Sequence, residues 1–264
     1  MINLYDLTRP EVSALITGWE FSPVHAARLW RYLYGECESS FEAMPELPAK
    51  VRTRLIAETT IDVLPISLET DSNDGFTRKY LLSLEDGNRI ETVLMRFTGR
   101  VTACISSQVG CAMGCVFCAT GQMGFTRHLT TGEIVAQAVH VQRVLRTLGA
   151  ETSDIDSNHD PRSHRLRNVV LMGMGEPLAN TDPVFEACRR IHDDLGISAR
   201  SITVSTVGIV PGIRALAEFE LPVNLAVSLH SADDESRDPI VPINRRYPLD
   251  AVITACQDYL HKHR

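Results

Sequence analysis

The 264-residue sequence contains no apolar run approaching the roughly 18 to 20 residues that cross a bilayer as a helix. Its first residues, Met1-Ile-Asn-Leu-Tyr-Asp6, lack the charged-then-apolar layout of a secretion signal. These absences weigh against a helical membrane protein and predict residence in the cytoplasm, where thiols stay reduced. An even cysteine complement is missing too: there are seven, at positions 37, 104, 111, 115, 118, 188 and 256, which argues against a disulfide framework. Cationic excess is also absent. The net charge of -7 weighs against a surface built mainly to neutralise phosphates. The local clusters Arg162, His164, Arg165 and Arg167, then Arg245 and Arg246, then His261-Lys262-His263-Arg264, each read alone as solvated surface. Apolar residues make up 44% of the chain, enough for a sizeable core in one large or two smaller domains.

What the chain does carry is Cys111-x-x-x-Cys115-x-x-Cys118. Three thiolates can hold a 4Fe-4S cube by three corners, leaving one iron open to another ligand. A zinc site would need a fourth ligand, and His128 is near enough in sequence to be that ligand. Spacing alone leaves both open.

Residues 22 to 60 place Ala26, Leu29, Trp30 and Leu33, then Val51, Leu55 and Ile56, at helical spacing, with breaks at Pro45 and Pro48. They predict a small helical unit. Lys79 to Leu84 and Arg89 to Met95 flank Glu85-Asp86-Gly87-Asn88 and predict a β-hairpin. Helices and hairpin together form an N-terminal accessory part over 1–100, and a strand-loop-helix pattern fills 101–264. Its strands are Val101 to Ser107, Asn168 to Met172, Ser201 to Thr206 and Val223 to Leu229. One helix begins at Thr130, where Thr130 and Glu133 have capping-box spacing, and buries Ile134, Val135, Ala138, Val141, Leu145 and Leu148. Others run from Asp182 to Leu195, after Pro211, and from Leu249 to Leu260; the polar segment Glu151 to Arg165, with Pro161, reads as an excursion. Four strand-helix units of this kind predict an α/β fold whose parallel sheet curls toward a partial (β/α) barrel, with ligands at the C-terminal strand ends.

Every chemically suggestive run falls at such an end. The cysteines follow strand one, Gly173-Met174-Gly175-Glu176-Pro177 follows strand two, Ser205-Thr206 closes strand three, and Ser228-Leu229-His230 closes strand four. Glycines let a ligand approach the backbone, and Glu176 can accept hydrogen bonds from an ammonium group. The glycine run is no dinucleotide fingerprint, because its third glycine is missing. Taken singly it is a turn, and His230 is a packed histidine.

Together these runs resemble the radical S-adenosylmethionine superfamily, and within it the RNA methyltransferases RlmN and Cfr. Arg89-Ile-Glu-Thr-Val93, Cys104-Ile-Ser-Ser-Gln-Val-Gly-Cys111, Phe117-Cys-Ala-Thr-Gly121, Gly124-Phe125, Met172-Gly-Met-Gly-Glu-Pro177, Ser205-Thr206, Ser228-Leu-His230 and Ile240-Val-Pro-Ile-Asn244 carry the likeness, from about residue 20 onward. It implies a radical SAM barrel, a 4Fe-4S cluster on Cys111, Cys115 and Cys118, and S-adenosylmethionine chelated at the open iron. Gly175, Glu176, Ser205, Ser228, Leu229 and His230 match cofactor contacts. Adenine carbon 2 is electron-poor and cannot displace a methyl group directly, so the family works by radicals. One cofactor molecule methylates a cysteine near the C-terminus, and a second yields a deoxyadenosyl radical that takes hydrogen from that methyl. The methylene radical adds to adenine, a proton leaves, and a second cysteine releases the product by forming a disulfide. Glu91 matches the proton acceptor and Cys104 the releasing cysteine. Read without the resemblance, Glu91 is an exposed strand carboxylate and Cys104 a small apolar residue.

The implied partners are ribosomal RNA, transfer RNA and a cellular electron donor, with the protein a monomer. Two alternatives stay open: a Cfr-like carbon-8 methyltransferase, and a non-catalytic zinc- or RNA-binding module. Family members continue past the last helix with two further strand-helix units, an Asn contact to the cofactor and the methyl-carrying cysteine. None is found in this sequence, so it reads as a C-terminally truncated chain that holds a cluster and transfers no methyl by itself. Cys37, Cys188 and Cys256 read as packing residues.

Overall fold

The computed structural model describes residues 1–97, 100–153 and 165–263. The N-terminal part contains β1 (Ile2–Asn3), α1 (Arg9–Gly18), α2 (Val24–Trp30), α3 (Ala49–Glu58) and β2 (Thr59–Thr60). Thr8 and Glu11 cap α1 reciprocally: the Glu11 amide donates to Thr8 Oγ1 at 3.4 Å, and the Thr8 amide to Glu11 Oε2 at 2.7 Å. Leu29, Leu33, Val51 and Leu55 fill the centre of this unit.

Next come β3 (Ile66–Asp71), β4 (Thr77–Ser83), β5 (Arg89–Phe97) and β6 (Arg100–Cys104). The predicted hairpin is β4 and β5, which bury Tyr80, Leu82, Ile90, Thr92 and Leu94 on alternate positions. β3 extends that hairpin by one strand beyond the predicted pair. Its residues alternate Ile66 and Leu68 with Ser67 and Glu69, but it is exposed along its length and buries neither face.

The remaining elements are β7 (Gln108–Gly110), α4 (Ala119–Gln122), β8 (Phe125–His128), α5 (Thr131–Ser153), β9 (Asn168–Leu171), α6 (Thr181–Asp193), β10 (Ile202–Thr206), α7 (Val210–Ala217), β11 (Asn224–Val227), α8 (Asp234–Arg237) and α9 (Leu249–Lys262). Seven strands form one sheet in the order β11-β10-β9-β6-β5-β4-β3. β6, β9, β10 and β11 are the four parallel strands of the predicted partial barrel. β6 also pairs antiparallel with β5, so one hydrogen-bonded sheet joins hairpin and barrel.

Val101, Ala103, Val169, Leu171, Ile202 and Val204 are buried on one sheet face. The opposite face carries Thr102, Cys104, Val170 and Ser205 and is less covered. The first predicted strand ends at Cys104 rather than Ser107, because Ser106 Oγ turns to bond the Glu91 carbonyl of β5 and the Met174 amide, and the Ser107 amide bonds the Met174 carbonyl.

α5 starts as its sequence predicts, with the Thr130 amide on Glu133 Oε2 at 2.9 Å and the Glu133 amide on Thr130 Oγ1 at 3.2 Å. It runs to Ser153, into the polar segment read as an excursion; Pro161, Arg162 and His164 lie outside the described residues, as does Arg264.

Polar contacts fasten the N-terminal unit to the barrel helices. Asp6 Oδ1 accepts the Gly132 amide of α5 at 2.8 Å, Trp30 Nε1 donates to Asp194 at 2.7 Å, and Arg143 Nε donates to the Cys37 carbonyl at 3.0 Å. No helix among the described residues is long and apolar enough to cross a membrane.

Candidate active site

The cysteine loop is held at its two ends by the β7–β8 ribbon, where Gln108 pairs with His128 and Gly110 with Phe125. Inside it, the Cys111 amide donates to the Gly124 carbonyl at 2.8 Å and the Cys118 amide to the Cys115 carbonyl at 3.1 Å. Gln122 Nε2 binds the Cys115 carbonyl at 3.1 Å. The ribbon is strapped from outside by Arg127, whose guanidinium grips both oxygens of Glu133 at 2.7 and 2.8 Å and Asp86 of the hairpin turn at 2.6 Å. That contact holds the Asp86 carboxyl well below the usual carboxylate range.

The loops after β6 and β9 are zipped together. The Gly173 amide donates to the Ile105 carbonyl at 3.0 Å, the Met174 amide to Ser106 Oγ at 2.9 Å, and the Ser107 amide to the Met174 carbonyl at 2.8 Å. Gln108 completes the join: its Oε1 accepts the Glu176 amide at 2.8 Å, and its Nε2 lies 3.1 Å from His128 Nδ1. This folding places Cys111, Cys115, Cys118, Gly175, Glu176, Ser205, Ser228 and His230 on the wall of one cavity of about 430 Å³. Of the candidate cofactor residues, only Leu229 is not on that wall; its side chain is exposed.

Glu176 is 3% exposed, with Oε1 accepting the Leu178 amide at 3.0 Å and Oε2 the Val207 amide at 2.9 Å. Burial raises its pKa, and the two amides oppose that rise. It is a fixed, nearly dry acceptor at the cavity edge. Ser205 Oγ donates to the Leu171 carbonyl at 3.0 Å, and the Ser228 amide to the Thr206 carbonyl at 2.8 Å. His230 has φ +61°, a conformation strained for a non-glycine residue, and its ring stacks obliquely on Phe117 at 4.1 Å between centroids.

Burial pushes the Cys111 and Cys115 thiols up, and nearby anionic groups add to the effect. Thiolates in such a place need a bound cation, so the donor set fits a metal group. A 4Fe-4S cluster would take each of the three thiolates on its own iron. His128, the fourth ligand a zinc site would use, is absent from the cavity wall.

Glu91 and Cys104 also lie off that wall, on the sheet face from which Ser205 projects. Lys79 Nζ donates to Glu91 Oε1 at 2.8 Å. The Cys104 thiol is pushed up to about 11, chiefly by burial, with the Glu91 charge adding. All seven cysteines are free thiols, so the disulfide implied for Cys104 is not formed.

Gln108, Arg127 and Lys79 were not singled out from the sequence. Gln108 lies in the run Cys104-Ile-Ser-Ser-Gln-Val-Gly-Cys111, its one signal in the sequence; Arg127 and Lys79 look like ordinary surface cations.

A family model described as "Ribosomal RNA large subunit methyltransferase N-terminal domain" matches residues 2–61. The chain is 56% identical to "Probable dual-specificity RNA methyltransferase RlmN 2" of Opitutus terrae, over 97% of this chain and 65% of that protein. It is 52% identical to "Dual-specificity RNA methyltransferase RlmN 1" of Myxococcus xanthus, over 99% of this chain and 70% of the relative. The crystal structure of a radical SAM methyltransferase from Sphaerobacter thermophilus superposes with a TM-score of 0.91 at 40% identity, covering 100% of this chain and 74% of that one. The chain thus spans 65 to 70% of the length of these two curated relatives. With strand order, cysteine loop and 52% identity over 99% of this chain in agreement, the chain belongs to the RlmN family of radical SAM RNA methyltransferases.

Proposed function

We propose that this chain supplies the cluster site, the cofactor site, Glu91 and Cys104 of a cytoplasmic, monomeric enzyme that methylates carbon 2 of adenosine in 23S ribosomal RNA and in transfer RNA, using S-adenosylmethionine, a 4Fe-4S cluster and a cellular electron donor, while the methyl-carrying cysteine is not one of its seven. One observation carries this reading: the three thiols, Glu176 and the ends of β10 and β11 share one cavity at the C-terminal ends of the parallel strands. Relatives named dual-specificity RNA methyltransferases support the RNA substrates.

Cys111, Cys115 and Cys118 hold the cluster. When bound, that cluster supplies an open iron for the amino and carboxylate groups of S-adenosylmethionine and the electron that cleaves it. Glu176, already fixed by two amides, accepts a hydrogen bond from the amino group through its remaining lone pairs. The backbone of Gly175, the hydroxyls of Ser205 and Ser228, and the Leu229-His230 turn line the rest of the cofactor path. On the adjoining sheet face, Glu91 takes the proton from the adenine, with Lys79 offsetting its charge. Cys104, whose thiol burial pushes up, would act as the releasing thiol once a base removes its proton, forming a disulfide with the methyl-carrying cysteine as that cysteine's bond to the product carbon breaks.

The test is anaerobic reconstitution with iron and sulfide, then reduction with S-adenosylmethionine present, scored by 5′-deoxyadenosine. A preparation with full iron and sulfide that yields none would overturn the reading. Mass spectrometry of RNA nucleosides after incubation with this chain alone is expected to show no new methyl group, and methylated adenosine would overturn that part of the reading. A methyl at carbon 8 in place of carbon 2 would favour the Cfr-like alternative.

A further inference from the structure

Ile240-Val-Pro-Ile-Asn244 belongs to the signature runs but has no role in the site so far described. It contacts Arg237, the largest fully buried side chain among the described residues at 0% exposure. Burying a guanidinium is costly unless all its donors are used. Arg237 spends them on the rim of the cofactor cavity. Its Nε donates to the Leu229 carbonyl at 2.9 Å, and its Nη2 to the carbonyls of Val207 and of Ser228, the latter at 3.4 Å. Its Nη1 donates to Asn244 Oδ1. Asn244 in turn binds Asp234 at 2.9 Å and Asp238 at 2.6 Å, relaying the charge to two carboxylates that do not bond the guanidinium themselves.

The same block reaches the cluster loop. The Arg237 carbonyl accepts the amides of Ile240 at 3.1 Å and Val241 at 2.8 Å, and the Ile240 carbonyl accepts the Val116 amide at 3.1 Å, between Cys115 and Cys118. Arg237 is also near enough to Cys115 for their charges to interact. One residue therefore touches the end of β10, the end of β11 and, through two hydrogen bonds by way of Ile240, the cysteine loop. It also fixes the carbonyl just before His230, whose left-handed backbone needs outside support.

We propose that Arg237, locked by Asn244, is the positioning residue that sets the spacing between the cluster loop and the cofactor rim at Val207, Ser228 and Leu229. This rests on the reading of the cavity as a cluster and S-adenosylmethionine site. A lysine cannot reproduce the role, because one ammonium lacks the planar fork that reaches separate carbonyls.

The test compares the reconstituted parent with Arg237→Lys and Asn244→Ser. Cooperative melting and iron and sulfide content are measured first. S-adenosylmethionine affinity is then read by equilibrium dialysis, and by the change the cofactor makes in the spectrum of the reduced cluster. The expected result is full cluster content with affinity weakened roughly 10- to 100-fold in Arg237→Lys, the range typical of lost outer-shell support, and less in Asn244→Ser. Arg237→Gln adds loss of charge beside the cysteine loop and is expected to move the cluster potential to more negative values, while Arg237→Lys leaves it near the parent's. Unchanged affinity in every variant that folds and loads cluster would overturn the proposal. So would failure of all variants to fold, or loss of affinity only in step with loss of cluster, since either makes Arg237 a stability residue alone. A parent that holds neither cluster nor cofactor would sink the functional reading instead.

Discussion

Gly110 immediately precedes the first cysteine, at the irregular step of the β7–β8 ribbon, with φ +73°. A Cβ there would lie 1.9 Å from the Gly124 carbonyl oxygen. That oxygen also accepts the Cys111 amide, so the ribbon can move away only by breaking the bond that starts the cysteine loop. Gly124 is the internal control. Its φ is +80°, but a Cβ there meets nothing within 4 Å. Alanine at either position costs about 1–2 kcal/mol for the left-handed backbone. At Gly110 the backbone collision adds about 1–3 kcal/mol and the lost hydrogen bond about 0.5–1.5 kcal/mol. Gly110→Ala should therefore melt roughly 5–15 °C below Gly124→Ala by calorimetry. It should also retain less iron after desalting of the reconstituted protein. Melting temperatures within about 2 °C of each other, with equal iron, would refute the reasoning.

Arg127→Met frees the ribbon from hairpin and helix and is expected to cost about 1.5–3 kcal/mol, read from denaturant unfolding; Asp86, released from its partner, returns toward ordinary carboxylate titration by carbon-13 NMR. Glu176 carries a pKa raised by burial, so its contribution to stability is present below the ordinary carboxylate value and lost as pH climbs through the folded-state value. Relative to Glu176→Gln, the parent's melting temperature should fall as pH rises from 4.5, the ordinary value, toward neutrality; a constant or widening parent advantage contradicts the assignment. Cys104→Ala and Glu91→Gln, both off the cavity wall, should keep parental iron content and S-adenosylmethionine affinity, and a tenfold loss of either would return them to the cofactor side of the site.

Much of this architecture was legible because local signals agreed with the global fold. Thr130 and Glu133 announce the start of α5, Asp86-Gly87 the hairpin, and four short apolar runs the four parallel strands. The cysteines, Glu176, Ser205, Ser228 and His230 could be grouped because parallel-sheet chemistry gathers at strand ends. What the sequence concealed depends on partners distant in the chain. β3 alternates Ile66 and Leu68 with Ser67 and Glu69 over only six residues and buries neither face, so its pairing with β4 is what establishes it. Arg237 stands in Asp-Asp-Glu-Ser-Arg-Asp, a run that reads as a solvated helix end, yet it is wholly buried because three carbonyls from other segments converge on it. Gln108 likewise gains its meaning from Glu176, 68 residues away.

The central claim is that Cys111, Cys115 and Cys118 hold a cluster with one iron open to S-adenosylmethionine. Electron paramagnetic resonance of the anaerobically reconstituted, reduced protein, with and without S-adenosylmethionine, tests it most directly alongside iron, sulfide and zinc analysis. The account predicts a 4Fe-4S signal that the cofactor perturbs and that alanine at any one of the three cysteines abolishes. Stoichiometric zinc without iron and sulfide, or a cluster signal indifferent to the cofactor, would contradict it.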